Sequence, residues 1–336
     1  MRCLVFVIVA GCAASSQPFA GLEPALARGD APKTTSVLVR RGGKTLYERY
    51  FEGATSETLH NTRSATKSLT SLAVGIAIDR KLLALDSKAF AHLADLRPFA
   101  VEHPLKDAIT IEDLLTMSSA LDCNDDDAAS PGNEENMYPK QAWARWAVDI
   151  PVVTAYAREP GGRGRFSYCT AGVFLLGQIV QRVAKQPIDE FMRDHLFKPL
   201  GITRWEFSRS PSGEVMTGGG LVLRTRDLAT LAELMLANGR DVVSAAYVAR
   251  ALTVQRKPFP DQSYGYLFWY RDYKTPCGTT PGWYMSGNGG NAIVILRELD
   301  AVAVITRTNY NTRGMHQQTT RLIEEQILPA LACKAR

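Results

Sequence analysis

Thr35-Ser-Val-Leu-Val-Arg-Arg-Gly-Gly-Lys-Thr-Leu-Tyr-Glu-Arg-Tyr-Phe51 reads as two β-strands folded about an Arg-Gly-Gly turn. β-branched and aromatic residues sit on either side of a dipeptide that tolerates a left-handed backbone, which is the composition of a hairpin. Its partners are far away in the chain. Tyr264 to Tyr270, Trp283 to Ser286, Asn291 to Arg297 and Ala301 to Thr308 read as further strands, the last three with tight connections, and Gln317 to Leu331 as a covering amphipathic helix. Two separate small sheets would leave raw edges, so the hairpin is expected to join the C-terminal meander in one antiparallel sheet.

Between these ends the pattern is helical. From Ala65 to Arg80 the residues Leu69, Leu72, Ala73, Ile76 and Ile78 fall largely on one helical face, with Gly75 on the packing side. Ile111 to Met117, Gln141 to Val148, Ala171 to Val183, Ile188 to Leu196 and Arg226 to Gly239 continue in the same period, with Pro/Gly/Asp-rich loops between many of them. The expected fold is therefore α+β: an antiparallel sheet flanked by helices, built from residues 35–90 and 220–336, with a mostly helical lobe of residues 91–219 inserted. A cleft between two such lobes is a usual place for a small-molecule site.

Composition narrows the function. The 336 residues are 46% apolar and 22% charged, which excludes disorder and coiled coil. Lys and Arg outnumber Asp and Glu by 39 to 34 with both signs scattered, too small an excess for a nucleic-acid track. No apolar run after residue 20 approaches the roughly 18 to 20 residues that cross a bilayer. Residues 1–20 differ: Arg2 precedes a short apolar block from Cys3 to Ala10, the build of an export signal, and residues 21–34 read as a polar linker. Val9-Ala10-Gly11-Cys12 resembles a bacterial lipobox, which would lipidate Cys12 and make that lipid the chain's membrane attachment. The alternatives are an ordinary signal ending near Ala20 or a buried N-terminal strand. Export places the protein in the cell envelope or periplasm.

Metal chemistry is not expected. The histidines His60, His92, His103, His195 and His316 are isolated, and Cys123, Cys169, Cys277 and Cys333 are widely spaced, with no pairing to be read from them. Asp122-Cys-Asn-Asp-Asp126 begins like a calcium loop, but Asp127 replaces its glycine and Asn133 its terminal glutamate, so it reads as a solvated acidic loop.

Three segments carry chemistry. Ser64-Ala-Thr-Lys67 opens the first strong helix, so the hydroxyl and the amine share one helical face; a lysine that loses its proton in a dry cleft can accept the hydroxyl proton. Backbone N–H groups at the helix start favour a developing oxyanion. Pro160 to Thr170 places the Tyr168 phenol just before a helix, and Met285-Ser-Gly-Asn-Gly-Gly-Asn291 lies between two strands, where glycines let a substrate approach the backbone. Taken singly, these are an N-cap serine, a core tyrosine and a hairpin turn.

In this order and spacing they resemble the serine β-lactamase and penicillin-binding superfamily, most closely its class C-like branch with family VIII esterases and 6-aminohexanoate-dimer hydrolases. Ile109 to Leu121, His195-Leu-Phe-Lys-Pro-Leu-Gly-Ile and Gly218-Gly-Gly-Leu are phrases similar to that branch, and the likeness covers nearly the whole chain after the signal. The resemblance implies a β-lactamase/transpeptidase-like fold and no cofactor. It makes Ser64 the nucleophile, Lys67 its proton partner and Tyr168 the general base or acid, with the backbone N–H groups of Ser64 and Asn288 as oxyanion hole. Ser286 and Gly287 take the second and third places of K-T-G. Two positions depart from the pattern: Thr170 stands where the family has Asn, and Met285 where it has the carboxylate-binding Lys. Both would be substrate contacts, and Met285 would make the pocket wall apolar. The implied activity is hydrolysis of a carboxylic ester or non-peptidic amide through an acyl-enzyme. The alternatives are a weak β-lactamase or peptidase-like protein, and a non-catalytic envelope binding protein of the same fold.

Overall fold

The computed structural model describes residues 18–153 and 164–333. Cys12 with its lipobox, Pro160 and Arg163 lie outside the described residues. Residues 21–34 are not a plain linker: they contain a short helix, α1 (Leu22–Ala27), whose Leu22 and Ala25 are buried against the sheet's outer layer.

The hairpin forms as its composition predicts. Strands β1 (Thr34–Arg41) and β2 (Lys44–Tyr50) pair antiparallel around Gly42-Gly43, whose φ angles of 55° and 73° are both positive, the requirement of a tight primed turn. The small pair β3 (Leu59–Asn61) and β4 (Val222–Arg224) follows, and then β5 (Arg256–Phe259), β6 (Gln262–Tyr264), β7 (Trp269–Thr275), β8 (Gly278–Gly287), β9 (Asn291–Leu296) and β10 (Ala301–Arg307). The strand expected over Tyr264 to Tyr270 is broken in the middle into β6 and the start of β7. One antiparallel sheet has the order β2-β1-β10-β9-β8-β7-β6-β5, so the first hairpin joins the C-terminal meander through β1 and β10, Val37 facing Ile305.

Strand alternation divides the apolar residues between two cores. Leu38, Ile293, Ile295, Val302 and Val304 face the helical lobe, whereas Val37, Val39, Val294, Ala303 and Ile305 face α1 and the C-terminal helix. The helical lobe side holds α2 (Thr66–Asp79), α3 (Pro104–Ala108), α4 (Ile111–Leu115), α5 (Trp143–Val148), α6 (Thr170–Ala184), α7 (Ile188–Met192), α8 (Thr225–Leu236) and α9 (Ala245–Ala251). On the other face α10 (Met315–Leu322) runs through a π turn into α11 (Leu328–Ala332). No described helix is long and apolar enough to cross a membrane.

Helix α2 departs from a one-faced pattern, since every residue from Thr66 to Ala77 is buried. Its hydroxyls are matched inside the protein: Ser68 Oγ donates to the Leu267 carbonyl at 2.5 Å, Thr70 Oγ1 to that of Thr217 at 2.6 Å, and Ser71 Oγ meets the Tyr247 hydroxyl at 2.9 Å. A Cβ on Gly75 would lie 2.5 Å from the Tyr247 ring, which is why this position on the packing side is glycine. The rigid central helix fixes the turn at its head.

Candidate active site

That turn carries Ser64. Residues Arg63–Ala65 form a single 3-10 turn leading into α2, and Arg63 has φ 51°, a left-handed conformation that a non-glycine residue adopts only when its surroundings hold it. They do: Arg63 N donates to Asn61 Oδ1 at 2.9 Å, Thr66 Oγ1 donates to the Arg63 carbonyl at 2.7 Å, and the Arg63 guanidinium lies over the Tyr310 ring at 4.1 Å. Thr62 N and Oγ1 both donate to the Leu221 carbonyl, tying the turn to the segment after Gly218-Gly219-Gly220.

One helical turn on, Lys67 is buried and donates from Nζ to Ser64 Oγ at 3.1 Å and to the Gly218 carbonyl at 2.6 Å. The same Nζ lies 4.9 Å from the Tyr168 ring centre. Tyr168 is thus held between Lys67 and the Trp269 indole, which stacks on it at 5.9 Å. Burial raises the Tyr168 phenol above its ordinary pKa, while Lys67 and a hydrogen bond with the Ser64 side chain pull it partly back. The phenol therefore keeps its proton at neutral pH. Ser64 and Lys67 come together as their spacing implies, and Tyr168 joins them as the resemblance implies.

Asp125 was not expected here. The loop after Asp122 does expose Asp126 and Asp127, but Asp125 turns inward and accepts hydrogen bonds from Thr170 N at 2.7 Å and Glu134 N at 3.0 Å, while its own N–H donates to the Tyr168 carbonyl at 2.9 Å. The Asn133 amide closes the loop by donating to the carbonyls of Asn124, Asp125 and Asp127. Burial pushes the Asp125 carboxyl up to about 6, against the opposing pull of Lys67. A disulfide between Cys123 and Cys169, and Ser167 Oγ donating to the Cys123 carbonyl at 2.6 Å, staple the Tyr168 segment to this loop. A second disulfide joins Cys277 to Cys333.

These groups open on a cleft of about 510 Å3, lined also by Phe166, Phe259, Trp269, Arg271, Tyr284, Ser286, Gly287, Asn288 and His316. Gly287 packs against the nucleophile's turn so closely that a Cβ would be 2.1 Å from the Thr62 carbonyl oxygen. Asn288 is braced by Asn311, whose N–H donates to its Oδ1 at 2.9 Å. Ser286 Oγ lies 3.5 Å from His316 Nδ1, and Arg271 is spoken for by Asp261 at 2.8 Å and Thr320 at 2.6 Å.

Two expected substrate contacts do not face the cleft. Met285 is fully buried in the core toward the helical lobe, because it alternates along β8 with the cleft-lining Tyr284 and Ser286. Thr170 is the first residue of α6, fully buried, with its methyl turned toward Gly218. Neither forms a wall against which a substrate would lie. No group of described His, Cys, Asp and Glu residues is arranged to hold a metal.

Residues 24–327 match the model of the Beta-lactamase family. The chain belongs to that family. It is also similar to a 6-aminohexanoate-dimer hydrolase of Paenarthrobacter ureafaciens, 27% identical over 266 residues, a match spanning 76% of this chain and 65% of the relative. The chain thus aligns with less than two thirds of that relative's length. Among solved structures, EstCE1, described as a hydrolase with promiscuous acyltransferase activity, superposes with a TM-score of 0.73 at 20% identity, covering 93% of this chain and 97% of the other. A D-stereospecific amidohydrolase from a Streptomyces species gives 0.69 at 17% identity over 95% and 98%. Such low identities speak for the shared fold, an α+β β-lactamase-like architecture.

Proposed function

We propose that this protein is a serine hydrolase that forms an acyl-enzyme on Ser64 and cleaves a carboxylic ester or a non-peptidic amide. The observation that carries the reading is the Lys67 Nζ at 3.1 Å from Ser64 Oγ, with the Tyr168 phenol on the same hydroxyl, in an open cleft. Ser64 Oγ attacks the carbonyl carbon as Lys67, acting as the neutral amine, takes the hydroxyl proton, and that proton is then delivered by way of Tyr168 to the leaving oxygen or nitrogen as the bond to that atom breaks. Tyr168, protonated at neutral pH, is placed to act as the acid. The N–H groups of Ser64 and Asn288 hold the oxyanion, and water then deacylates Ser64. With Met285 turned inward and Arg271 paired to Asp261, the cleft offers a substrate carboxylate no unmatched cation among its described lining residues, which favours neutral substrates over β-lactams.

Turnover of a short-chain p-nitrophenyl ester, with fluorophosphonate labelling of Ser64, tests this. Wild type should be active and labelled and Ser64→Ala neither; equal rates for the two proteins would refute it. The two disulfides support an exported protein working in an oxidising compartment, with attachment through Cys12 if the lipobox is used. Mass spectrometry of the mature N-terminus from a native host decides that part.

A further inference from the structure

The cleft holds a row of aromatic rings of which the acyl-enzyme chemistry uses only the first. It starts at Tyr168, beside the nucleophile, continues through Trp269 at 5.9 Å and 26° to Phe259 at 6.3 Å and 17°, and is flanked edge-on by Phe166, 6.2 Å from Trp269. Near-parallel rings with centres 5.9 and 6.3 Å apart are displaced sideways, so each covers only part of its neighbour. All four residues line the cleft. The outermost, Phe259, is 47% exposed on the short edge strand β5, and its backbone is held by pairing with Gln262. A large apolar ring kept at the mouth of a polar cleft, in line with two others that lead to the nucleophile, is positioned for a ligand rather than for the core.

Resting on the serine hydrolase reading, we propose that the Tyr168–Trp269–Phe259 row is an aryl subsite, and that the substrate carries an aromatic ring on the acyl or the alcohol side of its scissile bond. A flat ring can stack beside the exposed Phe259 and continue the row; saturated rings of the same carbon count are thicker and lack the complementary edge and face charge. The same cleft is lined by Asp125, Asp126, Glu134 and Glu135, which disfavours an aromatic group bearing its own carboxylate.

The test compares matched neutral esters by acid release in a pH-stat. Ethyl phenylacetate against ethyl cyclohexylacetate probes the acyl side; benzyl acetate against cyclohexylmethyl acetate probes the alcohol side. In wild type one pair should favour the aryl member in kcat/KM by about three- to tenfold, the size of a ring-stacking gain. Phe259→Ala should lower that ratio toward one, and Phe259→Trp should keep or raise it. Phe259 is exposed, and a thermal melt verifies that both variants are folded. An aryl ratio near one for both pairs in wild type, or one unchanged by Phe259→Ala, overturns the proposal. If Ser64 is not labelled by fluorophosphonate and no ester is cleaved, it is the hydrolase reading that fails. Quenching of tryptophan fluorescence by benzyl alcohol, compared between wild type and Phe259→Ala, still reads the subsite in that case, and equal quenching would count against it.

Discussion

Replacing Gly287 with alanine tests whether β8 and the nucleophile's turn form one catalytic unit. The added Cβ would sit 2.1 Å from the Thr62 carbonyl oxygen, 3.2 Å from the Thr62 carbonyl carbon and 3.3 Å from Arg63 Cβ, against an ordinary contact of 3.4 Å or more. The main obstacle is backbone, and no rotamer change relieves it. That carbonyl also accepts from Ala65 N at 3.1 Å inside the turn that carries Ser64. Relief therefore requires β8 and the turn to separate by about an ångström, which spreads the two N–H groups assigned to the oxyanion. A displacement of that size, or loss of one oxyanion donor, costs roughly 100-fold or more in kcat, while overpacking costs about 1–3 kcal/mol of stability. Gly219 is the control: a Cβ there comes no closer than 3.8 Å to the Arg63 backbone, and its φ is not positive. Steady-state kinetics on a short-chain p-nitrophenyl ester should show kcat reduced at least about 100-fold in Gly287→Ala with KM changed much less, and Gly219→Ala within about threefold of wild type. A folded Gly287→Ala protein with kcat close to wild type would refute this geometry.

Asp125 makes stability depend on pH. Its folded-state pKa of about 6 lies above the unfolded value near 3.8, so its contribution is full below the unfolded value and is lost as pH rises through 6. The loss is on the order of 2–3 kcal/mol. Urea melts at pH 4 and pH 7.5 should show this loss in wild type and not in Asp125→Asn; identical pH dependence in both would contradict it. The Cys123–Cys169 and Cys277–Cys333 bonds close segments separated by 46 and 56 residues, so removing either pair with serines should cost stability by a similar amount, about 4 kcal/mol on loop-closure entropy. Only loss of the first should also lower kcat, since Cys169 adjoins Tyr168; equal kinetic effects would separate that bond from the positioning of the phenol. Met285→Lys should be destabilised by at least about 2 kcal/mol, because it buries a charge in the apolar core. Its preference for carboxylate-bearing substrates should be unchanged, and a stable variant with a raised preference would place this side chain in the cleft after all.

Much of the architecture was legible because it is local. The hairpin is written in β-branched residues around two glycines, and Ser64 and Lys67 share a helical face because three residues make nearly one turn. Pairing of the first strand with the last followed from the need to cover sheet edges. The substrate side was misread: the sequence reading makes both Met285 and Ser286 substrate contacts, although period-two alternation puts them on opposite faces, and the cleft takes Ser286.

Tertiary structure alone decided the rest, since it depends on what distant segments bring to one place. Nothing in an acidic loop distinguishes Asp125 from its exposed neighbours until Thr170 and Glu134 present their N–H groups to it. The widely spaced cysteines allowed several pairings, and folding selects those whose chains meet. Trp269 and Phe259 carry ordinary strand signals, and only the register of β5, β6 and β7 aligns them with Tyr168 beside the nucleophile. Helix and strand periods specify which face a side chain takes on its own element. The packing of elements specifies what that face meets, and in this protein that meeting sets the place of Asp125, the aromatic row and the inward turn of Thr170.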